Sequence, residues 1–146
     1  MTVDASDPAA RLQHFATRLL RIARTTHKGH ALTSSQYSLM ALLYEHPDTS
    51  IVELAKREGV AHPTISRIVA GLARSGLVER KPHSRDKRVS VVRLSTAGEQ
   101  LYIEVAQRRV MLFRLIIAQL KPETVDELLA VAERFATGVE NDLRSS

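Results

Sequence analysis

Between Ser50 and Leu94 the hydrophobic period of the chain changes, and Gly59 and Gly76 punctuate the changes. Ser50 and Glu53 have the spacing of a capping box, and Ile51, Leu54 and Ala55 then share one helical face until Gly59 stops the helix. After Gly59-Val60-Ala61 a second helix opens near His62-Pro63, where the missing N–H of a proline costs nothing. Ile65, Ile68, Val69, Leu72 and Ala73 line its inner face, with Ser66, Arg67, Ala70, Gly71 and Arg74 opposite, and Ser75-Gly76 ends it. Leu77 to Lys81 is extended in character, Pro82 to Arg88 is rich in turn formers, and Val89 to Leu94 holds three valines with no helix cap. This predicts a hairpin with a long basic tip.

The flanks read as helices. Leu12, Phe15, Ala16, Leu19, Ile22 and Ala23 recur at three-and-four spacing from Ala9 to about His27. Thr33 and Gln36 make a capping box for a helix from Ser34 to about Tyr44, closed before Pro47. Thr96 and Glu99 do the same for a long helix with Leu101, Val105, Leu112, Phe113, Ile116 and Leu120 on its stripe. Lys121-Pro122-Glu123 interrupts it. A last helix carries Val125, Leu128, Leu129, Ala132, Phe135, Ala136, Val139 and Leu143, with Asp126 and Glu127 near its positive end. The expected fold is mostly α with a small β-hairpin: a winged helix-turn-helix over residues 33–95, flanked by long dimerisation helices over 8–30 and 96–144. A lone winged helix buries little of the flanking stripes, and two-fold pairing is the commonest way to cover them. A bundle closed within one chain is the alternative, and the length of the fifth helix, which outruns a compact monomer, argues against it.

Composition narrows the function. The chain has 146 residues and no cysteine, which excludes thiolate metal sites, thiol nucleophiles and thiol redox sensing. Aromatics are 4% with no Trp, too few for a base-stacking platform. No apolar run approaches the roughly 18 residues that span a bilayer, and Met1 to Asp7 lacks the basic start and apolar stretch of a signal peptide. A cytoplasmic protein with no membrane partner is expected. No GxSxG, HExxH, P-loop or dinucleotide fingerprint occurs, so neither an enzyme activity nor a cofactor is expected. His27-x-x-His30 has metal-ligand spacing, but Lys28-Gly29 between them and the lack of a nearby carboxylate leave no metal site to assign.

Charge is concentrated. Residues 62–93 hold eight Lys/Arg against two Asp/Glu, whereas residues 1–61 hold seven against six and residues 94–146 six against eight. A helix entering the major groove needs small outward residues, here Ala70 and Gly71, beside donors that reach base edges, here Ser66, Arg67 and Thr64. Arg74 lies on the same face. A wing tip bearing Arg85, Lys87 and Arg88 suits the negative potential of a narrow minor groove, with Asp86 placed to orient a neighbouring Arg. The plainer readings are a helical hairpin in a bundle and a solvated basic loop. An interaction module for an acidic protein partner is the reading from another class.

Over nearly its whole length the sequence resembles the MarR family of bacterial transcription regulators, most specifically from Leu72 to Gly98, where Leu72, Gly76-Leu77-Val78, Arg80, Asp86, Arg88, Val91, Leu94 and Gly98 fall in the family's order and spacing. The resemblance implies a homodimer in which each winged helix reads half of an inverted repeat in double-stranded DNA. It makes Asp86 and Arg88 the wing pair and Ser66 and Arg67 recognition-helix contacts, with Ser66 standing where the family often has Thr. It further implies a repressor, with activation as the alternative, and a cleft for a small aromatic or phenolic effector. His14, Arg18, Tyr37, Met40, Tyr44 and Met111 are the residues available to line that cleft, or else they are packing residues and a solvated Arg.

Overall fold

The computed structural model describes residues 6–25, 32–83 and 90–145. Its elements are α1 (Pro8–Thr25), α2 (Ser34–Glu45), β1 (Thr49–Ser50), α3 (Ile51–Glu58), α4 (His62–Arg74), β2 (Val78–Pro82), β3 (Ser90–Leu94), α5 (Thr96–Ile117) and α6 (Pro122–Ser145). They divide into two units, Met1–Ser34 and Ser35–Ser146. The mostly helical fold with a small sheet is as expected, but the hairpin is part of a three-stranded antiparallel sheet in the order β1-β3-β2. Thr49 pairs with Val92 and Ser50 with Val91 on one side of β3, while Val78 to Pro82 pair with Leu94 to Ser90 on the other. A two-residue strand is too short to show alternation, and its second residue also reads as a helix cap.

Within the larger unit the core joins α2 to the start of α5. Leu39, Met40 and Leu43 of α2, Leu54 of α3, Ile65, Val69 and Leu72 of α4, Val92 of β3 and Val105 of α5 are each almost wholly buried. Each such side chain stabilises the folded state by about 1.5–3 kcal/mol relative to exposure. Ala73, expected on the inner face of α4, is exposed, because it lies just past the edge of the stripe defined by Ile65, Val69 and Leu72.

Local chemistry sets the joints. The Glu53 N–H donates to Ser50 Oγ at 3.2 Å, and the Glu53 carboxylate accepts Arg57 Nε at 2.7 Å. Gly59 ends α3 in the left-handed region at φ 63°, and the next N–H, of Val60, donates to the Ala55 carbonyl at 3.1 Å. The cap of α5 is Ser95, one residue before the expected Thr96. Leaving β3, Ser95 has the extended backbone a cap requires, and its Oγ accepts the Gly98 N–H at 3.0 Å while donating to the Gly76 carbonyl at 2.6 Å.

The long helices leave apolar faces open within the chain. On α5 only Gly98 and Val105 are buried, and Val110, Met111, Phe113, Leu115 and Ile116 are exposed. Leu120 lies past the end of α5, in the turn before α6. None of the residues of α6 whose burial is described is buried, and Leu128, Leu129, Val131, Phe135 and Val139 are exposed. In the other unit Leu12, Phe15, Leu20 and Ile22 of α1 are exposed as well. No helix among the described residues is long and apolar enough to cross a membrane.

Candidate functional site

The α3–α4 pair is built so that one helix holds and the other presents. Leu54 and Ala55 anchor α3, and Ile65, Val69 and Leu72 anchor α4, which turns the other side of α4 outward. On it His62, Thr64, Arg67 and Arg74 are exposed and Ser66 is half-buried. Ala61 occupies the N-cap position of α4 without a side-chain cap, so the positive end of the helix opens beside these donors. His62, one turn before Ser66, brings its Nδ1 within 3.5 Å of Ser66 Oγ. It was not among the candidates, although the four-residue spacing placed it on the same face.

Gly71 departs from expectation. It does not face outward with Arg67: a Cβ there would stand 3.6 Å from Gln36 Nε2 of α2 and 4.0 Å from Arg74 Nη2. A side chain there would meet α2 at ordinary contact distance, and Ala70, too, is half-buried.

The sheet forms the root of a wing. Glu79, Arg80, Lys81 and Pro82 are exposed along β2, and Lys81 Nζ pairs with Glu79 at 3.0 Å. On β3, Arg93 grips Asp48 with Nε to Oδ1 at 2.7 Å and Nη2 to Oδ2 at 2.6 Å, and this hydrogen-bonded partner holds the Arg93 pKa above its ordinary value. Arg85, Asp86, Lys87 and Arg88 lie outside the described residues, as do His27 and His30. Among the described residues no group of three or more His, Asp or Glu is arranged to hold a metal ion.

A second concave feature lies where α2 meets α5. All three tyrosines of the chain gather there: the Tyr102 ring lies 5.5 Å from Tyr37 and 4.7 Å from Tyr44, and the Arg109 guanidinium sits 3.7 Å over Tyr37. Burial raises the Tyr102 pKa, reinforced by Tyr37 and by Glu45. Beside the stack an open groove of about 540 Å³ is lined by Tyr44, Tyr102, Ala106, Val110, Met111 and Arg114, among others. Of the effector candidates, Tyr44 and Met111 line it and Tyr37 stands behind it. Met40 is corrected: it is fully buried in the core and presents nothing to a ligand. His14 and Arg18 are exposed on α1, in the other unit. Tyr102 and Arg114 were missed, because helical spacing on a long amphipathic helix does not reveal which face borders a neighbour.

A capped helix, a left-handed glycine turn, a second helix held by its inner face and a three-stranded wing define a winged helix-turn-helix, a DNA-binding fold. The model of the MarR family matches residues 32–90. The homoprotocatechuate degradative operon repressor of Escherichia coli is 30% identical over 108 residues, covering 74% of this chain and 73% of that one. The transcriptional repressor YetL of Bacillus subtilis is 38% identical over 73 residues, 49% of this chain and 44% of YetL, so that match spans less than half of YetL's length. Among solved structures, the PcaV transcriptional regulator of Streptomyces coelicolor, in complex with its natural ligand, has the same fold, with a TM-score of 0.70 at 22% identity over 95% of this chain and 99% of that one. The chain belongs to the MarR family of transcription regulators. The family and these relatives are regulators and not enzymes.

Proposed function

We propose that the protein is a homodimeric repressor, working in the cytoplasm, that binds an inverted repeat in double-stranded DNA and is released by a small aromatic or phenolic acid. The observation that carries this reading is the outward face of α4, where exposed Thr64, Arg67 and Arg74 stand beside Ser66 and an uncapped positive helix end. Thr64, Ser66 and Arg67 meet base edges and phosphates in the major groove, Arg74 meets the backbone, and Arg85, Asp86, Lys87 and Arg88 form the tip that reaches the minor groove. Residues 33–95 form the DNA-binding part. The dimerisation helices expected over 8–30 and 96–144 pair with a second copy through the apolar faces left open on α1, α5 and α6, which sets two recognition helices about 34–36 Å apart, one DNA turn.

The groove beside Tyr44, Tyr102 and Met111 receives the effector, with Arg114 as partner for a carboxylate. Tyr37, stacked on Tyr102, remains a candidate for completing it. PcaV, solved with its natural ligand, supports a ligand-responsive reading. An effector acts only if it binds the DNA-incompetent conformation better than the competent one.

The test is selection from a randomised duplex library at near-physiological salt. An inverted repeat with half-sites about one turn apart is the expected result. A featureless pool would leave only electrostatic affinity and put the protein-interaction module first.

A further inference from the structure

Arg93 belongs to the basic stretch 62–93 and, counted by charge, is one more phosphate contact. Its geometry says otherwise. Both carboxylate oxygens of Asp48 accept from its guanidinium, at 2.7 and 2.6 Å, a fork-to-fork pair that a lysine cannot reproduce. Asp48 is itself unusual as a non-glycine residue in the left-handed region, at φ 58°. It sits between the end of α2 and β1, where Thr49 Oγ1 also donates to the His46 carbonyl at 2.7 Å.

Three tasks meet in this corner. Thr49 pairs with Val92, the neighbour of Arg93, and Ser50 pairs with Val91 while capping α3. A single short strand thus links the wing to the first helix of the helix-turn-helix. Two residues of pairing make a weak link, and the Asp48–Arg93 fork closes it from the side chains. We infer that Arg93 is a positioning residue, locked to Asp48, which fixes the direction of the wing strands relative to α3 and α4 and acts on DNA binding without touching DNA. This rests on the DNA-binding reading proposed above.

The experiment measures affinity for the selected duplex over a salt series for wild type, Asp48→Gly, Arg93→Gln, Arg93→Lys and the Asp48→Gly/Arg93→Gln pair. Glycine at 48 accepts the left-handed backbone. Each single substitution, Arg93→Lys included, weakens binding about tenfold, and the pair is no weaker than either member because both remove one interaction. The salt slope stays at the wild-type value, and amide exchange of Thr49, Ser50, Val91 and Val92 quickens in the DNA-free variants. A slope lower by about 0.9 in Arg93→Gln, with Arg93→Lys binding like wild type, identifies a direct phosphate contact and overturns the inference. So does unchanged or tighter binding by Asp48→Gly, which is what charge counting predicts. If wild type selects no duplex at all, the DNA-binding reading fails, and this inference with it.

Discussion

Gly98 lies directly against the carbonyl of Leu77, so close that a Cβ at position 98 would collide with the carbonyl oxygen. The contact joins the start of α5 to the chain segment between α4 and β2, where Ser95 N–H also donates to the Leu77 carbonyl at 3.0 Å. The obstruction is backbone, so no side chain can swing away. Gly98→Ala should destabilise the protein by about 1–3 kcal/mol, the range for overpacking a closed site. Gly71→Ala is the control: its Cβ meets Gln36 at an ordinary distance, and the helical gain of alanine over glycine is about 0.5–1 kcal/mol. Urea unfolding of both variants checks this, and opposite signs are expected. Equal effects would show that the Leu77 contact relaxes easily.

These two glycines mark how far the sequence could be read. Ser50, Gly59 and Pro63 act on backbone within a turn of themselves, so the helix-turn-helix was legible from spacing. Strand β1 was not, since its evidence lies in pairing with residues some forty positions away. Thr96 with Glu99 had the capping-box spacing, yet Ser95 caps, because the deciding factor is the extended backbone inherited from β3. At the groove between α2 and α5, Met40 and Tyr44 lie a turn apart on α2, and only the tertiary contact with α5 distinguishes core from rim.

Tyr102 makes stability depend on alkaline pH. Burial against Tyr37 and Tyr44, with Glu45 near, raises its pKa in the folded state. The folded state therefore keeps the proton that the unfolded chain releases near the ordinary value of about 10. The associated stability is fully present below that value and is lost as pH rises from it through the folded pKa. Chemical denaturation between pH 9 and 11 should fall more steeply for wild type than for Tyr102→Phe. Parallel curves would remove the claim.

Phe135, 54% exposed on α6, tests the dimer. A glutamate there would be buried unpaired if two copies cover this face, and would be solvated in a monomer. Light scattering of Phe135→Glu should give a monomer where wild type gives a dimer, with far-UV circular dichroism confirming helicity, and affinity for a two-half-site duplex should drop sharply. An unchanged dimer places the interface elsewhere.

For the proposed wing-tip residues, orientation and charge predict opposite effects. With Arg88 contacting DNA as proposed, Arg88→Ala should weaken binding to the selected duplex and lower the salt slope, because a phosphate-facing cation is lost. Simple electrostatics gives Asp86→Ala the opposite effect, since it removes an acid from among Arg85, Lys87 and Arg88. If Asp86 orients a neighbouring arginine, its removal returns that side chain to many rotamers, and the ordering cost, about 0.5–1.5 kcal/mol per side chain, falls on binding. The prediction is weaker binding by Asp86→Ala at every salt concentration, and an Asp86→Ala/Arg88→Ala pair weaker by less than the sum of the two losses. Tighter binding that fades as salt rises would make Asp86 only a negative charge.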